Sequence, residues 1–357
     1  MYTEADIDAA VAAGALTPDG AAGLRRHVAG GSSSPAVDEE HFRLLTGFND
    51  IFVAIAAVLL LSALSWIGGS TFYERGGPPS SLGPVLVAAA SWGLAEFFTK
   101  RRRMALPSIV LLLAFVGSVF ATCALTVAQI VPEERFNDNE SLVALVVGGS
   151  AAAAALGAWL HWRRFRVPIT VAAGAVALVG SVIGLGLSAV SEPEALLLPL
   201  LFAGGVALFA LAMWWDMSDR ERLTRRSDVA FWLHLAAAPM IAHSVFNGLG
   251  VFDGGIDAGT AFGVIALYIL FACLALAIDR RALLVSSLVY VLYAMRALFA
   301  EFGAIELNVA LTGLVIGSAL LMLSAFWHPI RRAVVGGLPE GTRRFVPVLE
   351  RSTLQTA

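Results

Sequence analysis

Residues 82–131 read LGPVLVAAASWGLAEFFTKRRRMALPSIVLLLAFVGSVFATCALTVAQIV, two apolar runs parted by Lys100-Arg101-Arg102-Arg103. A helix needs about 20 mostly apolar residues to cross the hydrocarbon of a bilayer, and the run over 105–131 satisfies that easily. The run over 82–98 is short and needs its flanks to complete a crossing. Four cations cannot sit in lipid without large cost, so the link between the two runs stays at one membrane face. The same rule applied outward gives ten spans: roughly 51–69, 82–98, 105–131, 141–160, 167–190, 195–215, 229–249, 259–278, 282–300 and 305–327. Backbone amides must be paired within each span, which makes each of them helical.

The composition belongs to the same solvent. Of 357 residues, 58% are hydrophobic and 14% charged, against about 45–50% and about 25% in soluble domains; the mean hydropathy is +0.78. A water-soluble enzyme with one packed core is excluded, and so is a disordered scaffold. A net charge of −3 and a pI near 6.1 give no signal for nucleic acid or another polyanion. No cofactor is implied. Cys123 and Cys273 lie in apolar runs and read as two small buried thiols, neither a disulfide nor a metal site. Asp6, Asp8 and Asp19 precede the first long apolar run at Ile51, so no secretory leader is expected.

The connections orient the spans. Lys100 to Arg103, then Arg163, Arg164 and Arg166, then Arg220, Arg222, Arg225 and Arg226, then Arg280 and Arg281 fall on one side. Arg331, Arg332, Arg343, Arg344 and Arg351 of the tail join them, with Arg25, Arg26 and Arg43 of the N-terminal segment. Of the 24 basic residues, only Arg75, Arg135 and Arg296 lie elsewhere, the last within a span. The opposite connections are acidic, carrying Glu133, Glu134, Asp138, Glu140, Glu192, Glu194, Asp253 and Asp257. The asymmetry alternates at every connection, which checks the number of spans, because a missed helix would throw one basic cluster to the wrong side. The expectation is an all-α integral membrane bundle of ten transmembrane helices in the cell inner membrane, with both termini cytoplasmic.

Little lies outside the bilayer. Thr3 with Asp6 starts a helix that carries Ile7 and Val11 on one face and stops at Gly14. Thr17-Pro18-Asp19 starts a second, with Pro18 at its first position, running to about Val28. The chain thus divides into a cytoplasmic helical hairpin over 1–29, a linker and pre-membrane segment over 30–49, a membrane domain over 50–328 and a basic cytoplasmic tail over 329–357. The linker contains Gly30-Gly31-Ser32-Ser33-Ser34-Pro35. The apolar faces of the hairpin are narrow and mostly alanine, which favours a solvated tail over a docking module.

Ionisable groups inside spans cost about 2.5–3.5 kcal/mol each near the centre on insertion scales, so function is sought there. The seventh span, FWLHLAAAPMIAHSVFN over 231–247, sets His243 and Asn247 four apart on one face, with Pro239 freeing a backbone carbonyl one turn earlier. His234 lies nine residues before His243, half a turn out of phase, so the two do not make one metal site. The ninth span carries Tyr290, Tyr293 and Arg296 at three-residue spacing and meets the tenth around Glu301, Glu306 and Asn308. His243 and Arg296 fall at similar height, past the midplane. A guanidinium cannot lose its proton, so Arg296 needs a partner in Glu301 or Glu306. Together these residues form the candidate substrate-binding pocket. The alternative is an ion pair with interhelical hydrogen bonds that only fix packing, about 0.6 kcal/mol each. Glu96 reads as an interfacial anchor paired with the basic run, and Gln129 as a donor to a carbonyl.

Gly180-x-x-x-Gly184 in the fifth span and Gly313-x-x-x-Gly317 in the tenth allow close backbone approach. These are the last spans of two five-helix halves, and an odd number per half inverts the second, the plan of many secondary transporters. No residue-level alignment joins the halves. Pro199 with Gly204-Gly205, and Pro239, mark the sixth and seventh spans as candidates for bent helices lining a site. No Walker loop, HExxH, nucleophile elbow or CxxC occurs, and His243 has no nucleophile or metal ligand beside it in sequence.

The segments AGALTPDGAA at 13–22, WGLAEFF at 92–98, ALPSIV at 105–110 and FWHPIRR at 326–332 resemble a family of uncharacterised bacterial polytopic inner-membrane proteins with a short N-terminal helical segment. The resemblance covers nearly the whole chain; it implies eight to ten spans and brings no activity with it. The ten-helix plan is also similar to drug/metabolite exporters, which lack the N-terminal hairpin and match no residue here. The function expected is carriage of a small or amphipathic solute or lipid. Arg296 would anchor an anionic group, His243 respond to protons and Asn247 donate a hydrogen bond. The alternative is a non-transporting scaffold or envelope-assembly protein. Membrane lipids are partners in either case, and a homo-oligomer or a membrane-protein partner stays open.

Overall fold

A computed structural model describes residues 4–31, 48–71, 78–137, 139–190, 192–220, 222, 224–251, 257–301 and 307–349. The chain forms two compact units, Met1–Arg43 and Leu44–Ala357. In the first, α1 (Glu4–Ala12) and α2 (Pro18–Gly31) follow one another in sequence. Gly14 ends α1 at φ +71°, a conformation open to glycine at little cost. The hydroxyl of Thr17 accepts the amide of Gly20 at 3.1 Å, capping α2 ahead of Pro18. Thr3, the expected cap of α1, lies outside the described residues.

The second unit is a helical membrane bundle. Its long helices are α3 (Phe48–Ser70), α4 (Leu82–Ala95), α5 (Ala105–Ile130), α7 (Glu140–Phe165), α8 (Ile169–Leu187), α9 (Pro193–Met217), α10 (Arg225–Gly248), α11 (Ala258–Ile278), α12 (Ala282–Glu301) and α13 (Asn308–Ala325). Short α6 (Glu133–Asn137), α14 (Trp327–Gly336) and α15 (Glu340–Arg343) lie between or after them. Among the described residues, nine helices are long and apolar enough to cross a membrane; α13 and α14 pass that test only as a pair bent by 77°. The tenth predicted span therefore ends at Ala325, and Trp327 starts a new helix. The short second span gains length from a π-helical turn over Glu96–Arg101 that continues α4.

Polar residues set the helix ends. Asn139 caps α7 through the Leu142 amide at 2.9 Å, Thr224 caps α10 through Arg226 at 3.2 Å, and Asp257 caps α11 through Thr260 at 2.9 Å. At the basic end the turns are tight enough that Arg103, Arg166, Arg222 and Asp279 adopt left-handed backbone, with φ between 54° and 57°.

Glycines set two of the crossings. A Cβ on Gly148 of α7 would lie 2.6 Å from the Leu185 amide of α8, and one on Gly184 would lie 2.7 Å from the Gly148 Cα. Gly68 of α3 and Gly83 of α4 face each other equally closely. Gly180 is looser, 3.8 Å from the Ala151 Cβ, and Gly313 and Gly317 have nothing within 4 Å. The motif in the tenth span thus marks no close crossing among the described residues. Gly205 of α9 packs against Met240 and Ile241 of α10, and both helices run on unbroken through Pro199 and Pro239. The thiols also depart from expectation: Cys123 is half-buried and Cys273 exposed, neither in a disulfide.

Candidate functional site

Helices α10 and α12 bring His243 to Tyr290, with Nδ1 2.9 Å from the phenol oxygen. The Tyr290 ring stacks on Phe246, centroids 4.5 Å apart, inside the core that α10 to α14 share. Asn247 follows one turn later, half-buried. Of the rest of the expected pocket, Tyr293 and Arg296 do not join them. Three residues fall short of a 3.6-residue turn by about 60°, so the stripe Tyr290–Tyr293–Arg296 slides off the core face. Tyr293 and Arg296 stand exposed on α12, and the arginine is not the buried guanidinium its position in a span suggests. Glu306 lies outside the described residues, as do the side chains of Glu301 and Asn308.

A denser polar assembly occupies the basic end. Asp216, near the end of α9, accepts from Arg280 at 2.6 Å (Nη2 to Oδ1) and 3.3 Å (Nε to Oδ2). The same Oδ2 lies 3.0 Å from Nε2 of His234 on α10. Arg280 Nη2 donates onward to the Ser227 carbonyl at 3.1 Å. Beside it, Asp279 accepts from Arg222 at 2.9 Å and from the Trp327 indole at 2.7 Å, while Arg331 Nε stands 3.6 Å away. Arg222 also donates to the carbonyls of Ile278 and Asp279, each at 3.1 Å. Arg331 reaches the carbonyls of Pro347 and Val348, and Arg220 that of Val346. Asp216, His234, Arg280 and Arg331 are each no more than 3% exposed. Burial, helped by nearby Arg280, pulls the Arg222 guanidinium below its ordinary value, and Asp279 opposes the shift.

The assembly ties α9, α10, the α11–α12 turn, α14 and the tail into one clamp. Its carboxylates are shared among guanidinium, indole and imidazole donors, which suits fixing geometry more than binding a solute. Sequence reading missed it by counting Arg220, Arg222 and Arg280 only as orientation markers. The available signal was acid on the wrong side: Asp216 and Asp279 sit where the charge asymmetry calls for cations.

Two smaller polar groups lie in the first half. Glu96 meets Arg164 of α7 in a fork, at 2.6 and 2.7 Å, and Lys100 only at 4.0 Å, so its main partner lies across the bundle and not in the adjacent run. His161 is fully buried among Trp92, Phe115 and Phe165, its Nε2 without a partner. Gln129 donates to the Pro79 carbonyl at 3.0 Å, as its place in the sequence suggests.

Space for a ligand flanks α5. One groove, about 580 Å³, is walled by α5, α7, α8 and α10 through residues such as Val116, Ala154, Ile169, Val176, Gly180 and Trp232. Leu113 and Val176 on its lips are exposed, so it opens toward lipid. A second, about 500 Å³, lies between α3, α4 and α5. Neither is lined by His243, Asn247 or Arg296. Comparison with protein-family models, with curated proteins and with solved structures finds no match to this chain.

Proposed function

We propose that the chain is a multi-pass inner-membrane protein, both termini cytoplasmic, that takes the chain of a lipid-like amphiphile into the groove between α5, α7, α8 and α10. Membership of the uncharacterised inner-membrane family it resembles belongs to the same proposal. The observation that carries the reading is an open groove of about 580 Å³ with an apolar lining between four helices long and apolar enough to cross a membrane. Water has no polar partners there, and bare apolar walls forfeit their dispersion contacts, so a hydrocarbon chain is the natural filling. The test is co-purification of lipid, read by native mass spectrometry on the full chain. Val176 is an exposed lip residue, so Val176→Trp fills the groove without entering the core. Bound lipid should fall by at least half; equal retention by both proteins overturns the reading. The clamp around Asp216 and Asp279 favours a second reading, a rigid scaffold for envelope assembly, in which the groove holds annular lipid without selecting it.

A further inference from the structure

The second groove differs from the first in its chemistry. Ser62 and Ser65 of α3, Ser80 before α4 and Ser118 of α5 line it, with Pro79 and Leu125 at its outer end. Serines inside helices usually return their hydroxyl to a carbonyl one turn back, as Ser70, Thr71 and Thr122 do on these same helices. Among the described residues the hydroxyls of Ser62, Ser65 and Ser118 show no such bond, and Ser62 and Ser65 stand exposed on α3. Ser118 is nine-tenths buried and sits at the middle of α5, where a hydroxyl without a partner is costly. The hydroxyls climb from that level to Ser80 at the acidic end. Among the described residues, no ionisable side chain lines either groove.

The two grooves share one residue. Gly117 lines both, and a Cβ there would meet nothing within 4 Å. On α5, Leu113, Val116, Gly117 and Phe120 face the apolar groove, while Ala114, Gly117, Ser118 and Ala121 face the hydroxylated one. Gly117 is thus the ridge between adjacent stripes, and its missing side chain leaves the ridge low.

We infer that the grooves are two lobes of one site across α5, binding an amphiphile with an uncharged, hydrogen-bonding head in the serine-lined lobe and its chain in the apolar lobe. The inference rests on the proposed binding of a lipid-like chain and adds the class of head group. A charged head is disfavoured because no described residue lining either lobe offers a counter-ion. A head without donors or acceptors would leave the three hydroxyls unpaired.

Diacylglycerol and phosphatidic acid test it, each carrying one photoreactive group on the acyl chain next to the head and one at the far end of the chain, offered to the full chain in phosphatidylcholine nanodiscs with the labelled peptides read by mass spectrometry. Diacylglycerol should label both lobes, and phosphatidic acid should label the serine-lined lobe several-fold less. Ser62→Ala with Ser65→Ala should lower diacylglycerol labelling about fivefold per hydrogen bond lost. Gly117→Leu, which has room to fold, should leave the apolar lobe labelled and the serine-lined lobe unlabelled. Equal labelling by the two lipids, or no effect of Gly117→Leu, overturns the inference while leaving chain binding standing. No labelling of the apolar lobe by either lipid in the unaltered protein overturns the proposed function itself.

Discussion

At the scale of single residues, the polar side chains sort by whether their partner is on the same helix, on another helix or absent. Asp216 is the extreme of the second kind, a buried carboxylate satisfied from α10 and from the turn after α11. Removing one member of such a set strands the others, at about 3–5 kcal/mol, whereas replacing the set by apolar residues of similar size is often neutral. Asp216→Ala should therefore lower the melting temperature in detergent sharply, and Asp216→Leu combined with Arg280→Met should recover most of the loss. A double variant as unstable as the single one would mean that the clamp supplies net stability of its own. His243 and Tyr290 are a milder case, one hydrogen bond between helices already held by the stacking of Tyr290 on Phe246. Part of this sorting is legible in sequence and part is not. That His243 needs a polar neighbour follows from its place in a span, and Tyr290 was among the candidates. That His234 turns to Asp216 depends on the rotation of α9 against α10, which no spacing along one helix reveals.

At the scale of elements, close crossings are decided by what faces a glycine, not by the four-residue spacing of glycines. Gly184 and Gly180 belong to one motif, yet only Gly184 lies against backbone, opposite Gly148. Gly184→Ala should force α7 and α8 apart and destabilise by about 1–3 kcal/mol, as overpacking does. Gly317→Ala, with open space at its Cβ, should be neutral or stabilise by up to about 1 kcal/mol, since alanine is the better helix former. Thermal unfolding of the two variants separates the cases; equal losses would mean that Gly317 packs against something outside the described residues. The spans themselves were legible almost to the residue. An uninterrupted apolar run in lipid has no alternative to a helix, and the ends of α5, α7 and α11 fall within a few residues of expectation except where Arg163 and Arg164 prolong α7. The break at Phe326 was not legible, because residues 305–327 meet the same length criterion whether or not the last turn bends.

At the scale of the whole molecule, the charge asymmetry and the clamp are one feature seen twice. Arginines gathered at one end by the alternation of loops become the donors that hold α9, α10, α11, α12 and α14 together there. Arg331 and Arg220 draw the tail carbonyls onto the same end, so a tail that reads as a basic appendage is part of the fold. The other end has no such clamp among the described residues; its polar contacts include helix caps and the links of Gln129 to the Pro79 carbonyl and the Ser81 hydroxyl. A bundle locked at one end and looser at the other would admit an amphiphile from the looser side, where the serine-lined lobe begins at Ser80. Threading decides which leaflet that is. A phosphatase and a fluorescent protein, fused in turn after Arg344, should report the cytoplasm, with the fluorescent fusion bright and the phosphatase inactive. The same pair inserted within α6 should give the reverse. A phosphatase active after Arg344 would place the clamp in the periplasm, against the rule that arginine-rich loops stay inside, and the serine-lined lobe would then take its ligand from the inner leaflet.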